Sequence, residues 1–235
     1  MHNSTFPYQH MQRAASASNI RLTKEKMFGI MRMENDNNYK EEKMKILFVG
    51  NSYTFFNDMP ALFAELCKEN GVDVQVDSVT RGGYSFAHYV SEENEKGIEL
   101  RTKLAENSYD YIILQEQSVR PAESPETFLD GARRLCDMVR ENGAKPVFYQ
   151  TWGRREDNKT LSDHGWTRDE MHAMLKASYV RAAEENDAQL VYAGDAFDAA
   201  YRAGEAVYHN DGTHPSAVGS AVIARAFYDA LFGGK

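Results

Sequence analysis

At 235 residues, with 42% hydrophobic and 11% aromatic side chains, the chain holds enough apolar material for one substantial core and no room for two large ones. Its 27 basic and 35 acidic residues leave a formal charge of -8, and no dense Lys/Arg block occurs beyond the N-terminal arm, which argues against a nucleic-acid partner. No apolar run reaches the length of a membrane span and the N-terminus lacks the apolar stretch of a secretory signal, so a soluble, cytoplasmic protein without a membrane partner is expected.

Residues 1–43 stand apart in composition. They are rich in Asn, Ser, Met and charge, show no sustained period, and end in Asn35-Asp36-Asn37-Asn38 and Lys40-Glu41-Glu42-Lys43. Such a segment cannot bury enough apolar surface to fold alone. It is expected to be a disordered arm or an extension, since Met27, Met31, Met33 and Met44 could each begin a shorter product. The folded domain is expected over residues 44–235.

From Met44 onward strand and helix patterns alternate, which predicts a parallel sheet covered on both faces. The apolar run Lys45–Val49 enters Gly50-Asn51-Ser52, and a helical period over 59–70 ends at Gly71. A Gly at a strand end permits a sharp turn, and the residues after it offer free N–H groups at a helix start. Val72–Val79 alternates as a second strand and stops at Arg81-Gly82-Gly83-Tyr84-Ser85. A polar helical stretch over about 85–106 follows, with His88 read as a capping or surface residue. Tyr109–Leu114 is the third strand and delivers Gln115-Glu116-Gln117-Ser118. In open α/β sheets, turns of this kind at the carboxyl ends of strands line one crevice.

A helix over about 126–142 and a fourth strand, Pro146–Trp152, come next. Residues 153–166 read as a long charged loop over the crevice, flanked by Trp152 and Trp166, which are candidates for an aromatic platform under a sugar ring. Thr167 with Glu170 three residues later predicts a capping box for a helix over 167–187. A fifth strand over 189–193, a connection over 194–208 and a helix over about 216–232, with Val218, Ile223, Ala224 and Phe227 at core spacing, complete the pattern. Cys67 and Cys136 lie among apolar neighbours in helical patterns and are expected to be buried free thiols.

Between the last strand and helix stands Asp211-Gly212-Thr213-His214-Pro215. An Asp and a His three apart can share one turn, the carboxylate taking one imidazole N–H and leaving the other nitrogen as a base. The pairing of strand-Gly50-Asn51-Ser52 with Asp211-x-x-His214 resembles the SGNH, or GDSL-like, hydrolase family over about residues 44–232. That resemblance implies a three-layer α/β/α sandwich of flavodoxin-like architecture, with a central parallel sheet of about five strands. It implies Ser52 as nucleophile, His214 as base and Asp211 as its partner. The oxyanion donors would be the backbone N–H groups of Ser52 and Gly83, with Gly82 as the alternative, and a side-chain amide after the third strand. The family pattern there is Gly-x-Asn-Asp. Here Gln117 falls on the Asn position and Gln115 replaces the Gly, so Gln117 is the expected donor and Gln115 the alternative. The first block reads Gly-Asn-Ser where the eponymous motif has Gly-Asp-Ser.

The resemblance further implies a small-molecule or carbohydrate ester as substrate. Asn51, Arg81 and Gln115, on the same turns, are candidate substrate contacts, and the polar turns bearing Arg81, Arg120, Arg154 and Arg155 tilt the expectation towards deacetylation of a carbohydrate. No cofactor or metal is expected, because the carboxylates and histidines lack a ligand spacing such as His-Glu-x-x-His. Two other classes share part of this pattern: a flavodoxin-like protein cradling a phosphate or nucleotide on Gly50-Asn51-Ser52-Tyr53-Thr54, and a carbohydrate-binding relative that keeps the site without its catalysis.

Overall fold

The computed structural model describes residues 43–233, so the arm expected over 1–43 lies, apart from Lys43, outside the described residues. At the centre are β1 (Met44–Gly50), β2 (Val74–Thr80), β3 (Tyr111–Leu114), β4 (Lys145–Tyr149) and β5 (Gln189–Val191). They form one sheet in the order β2-β1-β3-β4-β5, every pair parallel. Between and after the strands run α1 (Ser52–Phe55), α2 (Met59–Glu69), α3 (Phe86–Val90), α4 (Glu95–Glu106), α5 (Arg120–Glu123), α6 (Pro125–Glu141), α7 (Lys159–His164), α8 (Arg168–Glu185), α9 (Ala193–Arg202) and α10 (Ala217–Phe232).

The strands are apolar on both faces because both faces are covered. Ile46, Phe48, Ile113, Val147 and Tyr149 point into one core with Phe63, Phe197, Ile223 and Phe227, residues of α2, α9 and α10. Leu47, Val49, Ile112, Leu114 and Phe148 point into the other, against Tyr89, Leu100, Phe128, Leu135 and Tyr179 from α3, α4, α6 and α8. The two-residue period of a strand therefore assigns successive side chains to different layers. The result is the expected three-layer α/β/α sandwich, and the two cysteines are buried free thiols, one in each core.

Four sequence expectations change. The helical stretch over 85–106 is two helices, because Asn94 caps a new start through Lys96 N–H, and the Arg101 guanidinium takes the carbonyls of Val90 and Ser91 at the end of the first. The connection over 194–208 contains α9, whose Phe197 is buried. Residues 153–166 are not a structureless loop, since α7 forms within them with Asn158 as its cap. Val218 is 42% exposed, while Gly219 and Ser220 take the buried face of α10 that Val218 was expected to share. The capping box of Thr167 and Glu170 forms as predicted.

Candidate active site

Sheet order reverses direction between β1 and β3, and there the turns after β1, β2 and β3 meet. Gly50 closes β1 under tight constraint: a Cβ there would stand 2.5 Å from Thr54 Oγ1 and 2.7 Å from Gln115 Oε1. Asn51 then caps α1 by accepting from Tyr53 N–H at 3.1 Å, which makes Ser52 the first helical residue. The N–H of a first helical residue has no partner within its own helix. Gly83 occupies the third position of a turn closed by Tyr84 N–H to Arg81 O, at a φ of 75° that disfavours any side chain.

His214 reaches this point from the far end of the chain. Its Nε2 lies 2.8 Å from Ser52 Oγ and its Nδ1 lies 2.6 Å from Asp211 Oδ2. Asp211 also accepts the backbone N–H groups of Thr213 and His214, at 2.9 and 3.0 Å. Partial burial opposes its ionisation, but these hydrogen bonds, led by the His214 ring, hold its carboxyl well below the usual carboxylate range. Phe56 stacks on the imidazole with centroids 4.6 Å apart, restricting its rotation. Asn57, at a left-handed φ of 54°, donates its amide to Pro215 O and Ser220 Oγ, fastening the segment of Ser52 to that of His214.

The segment over 153–166, expected as a loop over the crevice, supports the Asp211 turn. Asn158 donates to Asp211 O and Thr213 Oγ1, Arg155 donates its backbone N–H to Gly212 O, and its guanidinium reaches Asn210 O. A cavity of about 230 Å³ lies beside Ser52 and His214, with Gly83, Gln117, Ser118 and Arg154 in its wall. Gln117 Oε1 accepts Val119 and Arg120 N–H, which fixes its amide plane and leaves Nε2 as the free-standing donor group. Gly83 lines the cavity and Gly82 does not.

Of the five candidate substrate contacts, Asn51 lines the cavity with its side chain already engaged, and the structure places the other four away from it. Gln115 is fully buried, its Oε1 accepting from Asn51 N–H and Thr54 Oγ1, so it is a brace under the turn and neither a substrate contact nor an oxyanion donor. The Asn51 side chain is spent on Tyr53 N–H, Tyr84 O and Glu116 O and ties the three turns together. Arg81 lies outside the cavity in an exposed pair with Glu95. Trp152 has no exposed surface: its ring is sandwiched between Tyr53 and Phe197, and its Nε1 donates to Thr213 O. Trp166 packs against the small cluster of Val119, Leu161, Met171 and Leu175 and stacks on His164, away from the cavity. Trp152 offers no platform because its ring is enclosed, and Trp166, partly exposed, is not among the residues lining the cavity.

Two groups carry more than their sequence positions announce. Arg154 is the member of the arginine-bearing turns that enters the cavity wall, a distinction set by tertiary placement alone. Glu116 is buried beneath the turns, accepting Phe86 N–H and Gln117 N–H and thereby joining the segment after Gly83 to the segment of Gln117. Burial pushes its carboxyl up to about 7 against those two donors and Arg120. Its place immediately after an apolar central strand was a signal available in the sequence.

No family model and no curated protein matches the chain. Solved structures do. One is a candidate SGNH hydrolase from Slackia heliotrinireducens, 31% identical, with a TM-score of 0.73 over 80% of this chain and 99% of that one. A DUF4886 family protein from Bacteroides uniformis shares 18% identity over 82% of this chain and 84% of that one, with a TM-score of 0.69. An acetylxylan esterase from Geobacillus stearothermophilus shares the fold at 17% identity, a TM-score of 0.57, and coverage of 80% and 94%. With the 31% identical Slackia relative covered almost end to end, and with the sheet order and turns described above, this chain belongs to the SGNH hydrolase family.

Proposed function

We propose that the protein is a serine esterase acting on carboxylic esters with short acyl groups, through an acyl-enzyme on Ser52. The observation that carries this reading is the continuous relay Asp211–His214–Ser52, with both links at hydrogen-bond distance. Ser52 Oγ attacks the ester carbonyl as its proton passes to His214 Nε2. The oxyanion is met by the N–H groups of Ser52 and Gly83 and by the Gln117 amide, and the loss of one such donor typically costs about 3 kcal/mol of transition-state stabilisation. Collapse expels the alcohol, which takes the proton from His214. Water then gives a proton to the same nitrogen, adds to the acyl carbon and releases the acid, and the proton returns to Ser52. Asp211 orients the ring and stabilises its positive charge throughout.

The small cavity favours a short acyl group such as acetyl, and a fold shared with an acetylxylan esterase is compatible with a carbohydrate ester. The tryptophan platform no longer argues for a sugar. Labelling with a fluorophosphonate tests the mechanism: the wild type should be labelled at Ser52 and the Ser52→Ala and His214→Ala variants should not. A folded wild type that resists the probe would point to a binding relative instead.

A further inference from the structure

Facing the cavity beside Ser52 is a cation with no carboxylate of its own. Arg154 is half-buried, and its guanidinium is positioned by Thr160 Oγ1, by Asn158 Oδ1 at 3.4 Å and by Ser118 Oγ at 3.1 Å. All three are neutral. Among the described residues no Asp or Glu forms a salt bridge with Arg154, whereas its neighbour Arg155 pairs with Asp157. Its Nε is buried without a hydrogen-bond partner.

A second orphan stands beside it. Tyr53, 2% exposed, lines the same cavity, and its buried hydroxyl has no partner within ordinary hydrogen-bond distance, Arg154 and Ser118 being its nearest polar neighbours. Burial raises its phenol, while Arg154 and Ser118 lie near enough to oppose that rise. A half-buried guanidinium without a counter-charge, beside a buried phenol, leaves donor capacity in one wall that a ligand can fill. The complement of that wall is a planar anion with two acceptor oxygens, which a guanidinium recognises better than any other side chain does.

We propose, building on the esterase reading, that Arg154, Ser118 and Tyr53 form a carboxylate subsite, so that the preferred substrate is a small ester carrying a carboxylate within a few atoms of its ester carbon. The carboxylate can belong to the acyl part or to the alcohol part. The cavity, about 230 Å³, restricts either to a short chain.

Two matched pairs of esters separate these sources: monomethyl succinate against methyl butyrate for the acyl part, and O-acetylglycolate against ethyl acetate for the alcohol part. In one pair the wild type should favour the charged ester in kcat/KM by about tenfold or more, the scale of a charge-assisted hydrogen bond. Arg154→Gln should bring that ratio to about one, and Arg154→Lys, which keeps the charge without the fork, should leave it intermediate. A ratio near one for both pairs in the wild type, or a ratio that survives Arg154→Gln, overturns the subsite. Binding measured by calorimetry on Ser52→Ala protein tests it without turnover. There, saturable binding of a charged ester that is absent for its neutral partner and lost on adding Arg154→Gln supports the subsite, and equal or absent binding of both refutes it. Should the wild type hydrolyse none of the four esters, the esterase reading fails while calorimetry still decides the subsite.

Discussion

His214 Nε2 stands 2.8 Å from the hydroxyl of Ser52, 162 positions earlier in the chain. Nothing local holds them together: the contact depends on Asn57 bridging to Pro215 and Ser220, on Phe56 stacked against the imidazole, and on Asn158 and Arg155 bracing the Asp211 turn. The distance is thus an outcome of the packed domain.

If Ser52 and His214 act as one unit, Ser52→Ala and His214→Ala should each lower kcat on 4-nitrophenyl acetate by at least about 10³-fold, and the double variant should be little worse than either. Asp211→Asn should also fall steeply. Circular dichroism should show all four folded. Additive losses would mean that the two residues serve separate steps.

Gln117 and Gln115 should behave differently despite their proximity. Gln117→Ala should reduce kcat by about 10²–10³-fold with a small change in KM, because its amide matters once charge has developed. Gln115→Ala leaves Asn51 N–H and the Thr54 hydroxyl without their buried acceptor, so it should lower the melting temperature. Finding kcat unaffected in Gln117→Ala would remove it from the oxyanion site.

Glu116 should make stability depend on pH. Its carboxyl ionises at about 7 in the folded chain against an ordinary value of 4.5, so between those values the folded state holds a proton that the unfolded state has released. The stabilising contribution is complete below about 4.5 and declines as pH rises to 7, by about 3 kcal/mol. Glu116→Gln retains an acceptor for Phe86 and Gln117 N–H and removes the titration. The difference in unfolding free energy between variant and wild type should therefore shift in the variant's favour from pH 4.5 to 8. Urea titrations giving a pH-independent difference would refute this.

Trp152→Ala should destabilise the domain by about 3–5 kcal/mol, since the whole indole lies between Tyr53 and Phe197. Trp166→Ala, partly exposed at a small satellite cluster, should cost much less. Neither change should act selectively on KM for a carbohydrate ester, as removal of a sugar platform would; thermal melts and kinetics together distinguish the two roles.

The sequence by itself determined the layered architecture and singled out Ser52, Asp211 and His214 as the residues to bring together. Strand and helix periods are local, and the apolar runs of β1 and β3 carry their burial in their composition. Glycine before Ser52 and the three-residue spacing of Asp211 and His214 are likewise properties of single turns. Tertiary structure decided the rest. A tryptophan next to a crevice reads the same whether its ring faces solvent or lies between Tyr53 and Phe197, because the choice depends on helices far along the chain. Gln115 and Gln117 differ by two positions: one was drawn under the turn by Asn51 and Thr54, while the other keeps an amide nitrogen at the cavity wall. Arg154 and Arg155 are adjacent and chemically identical. The former reaches Ser118 and the cavity, while the latter pairs with Asp157 and braces Asn210, because their side chains leave the backbone in different directions and only the assembled neighbours give each direction a meaning.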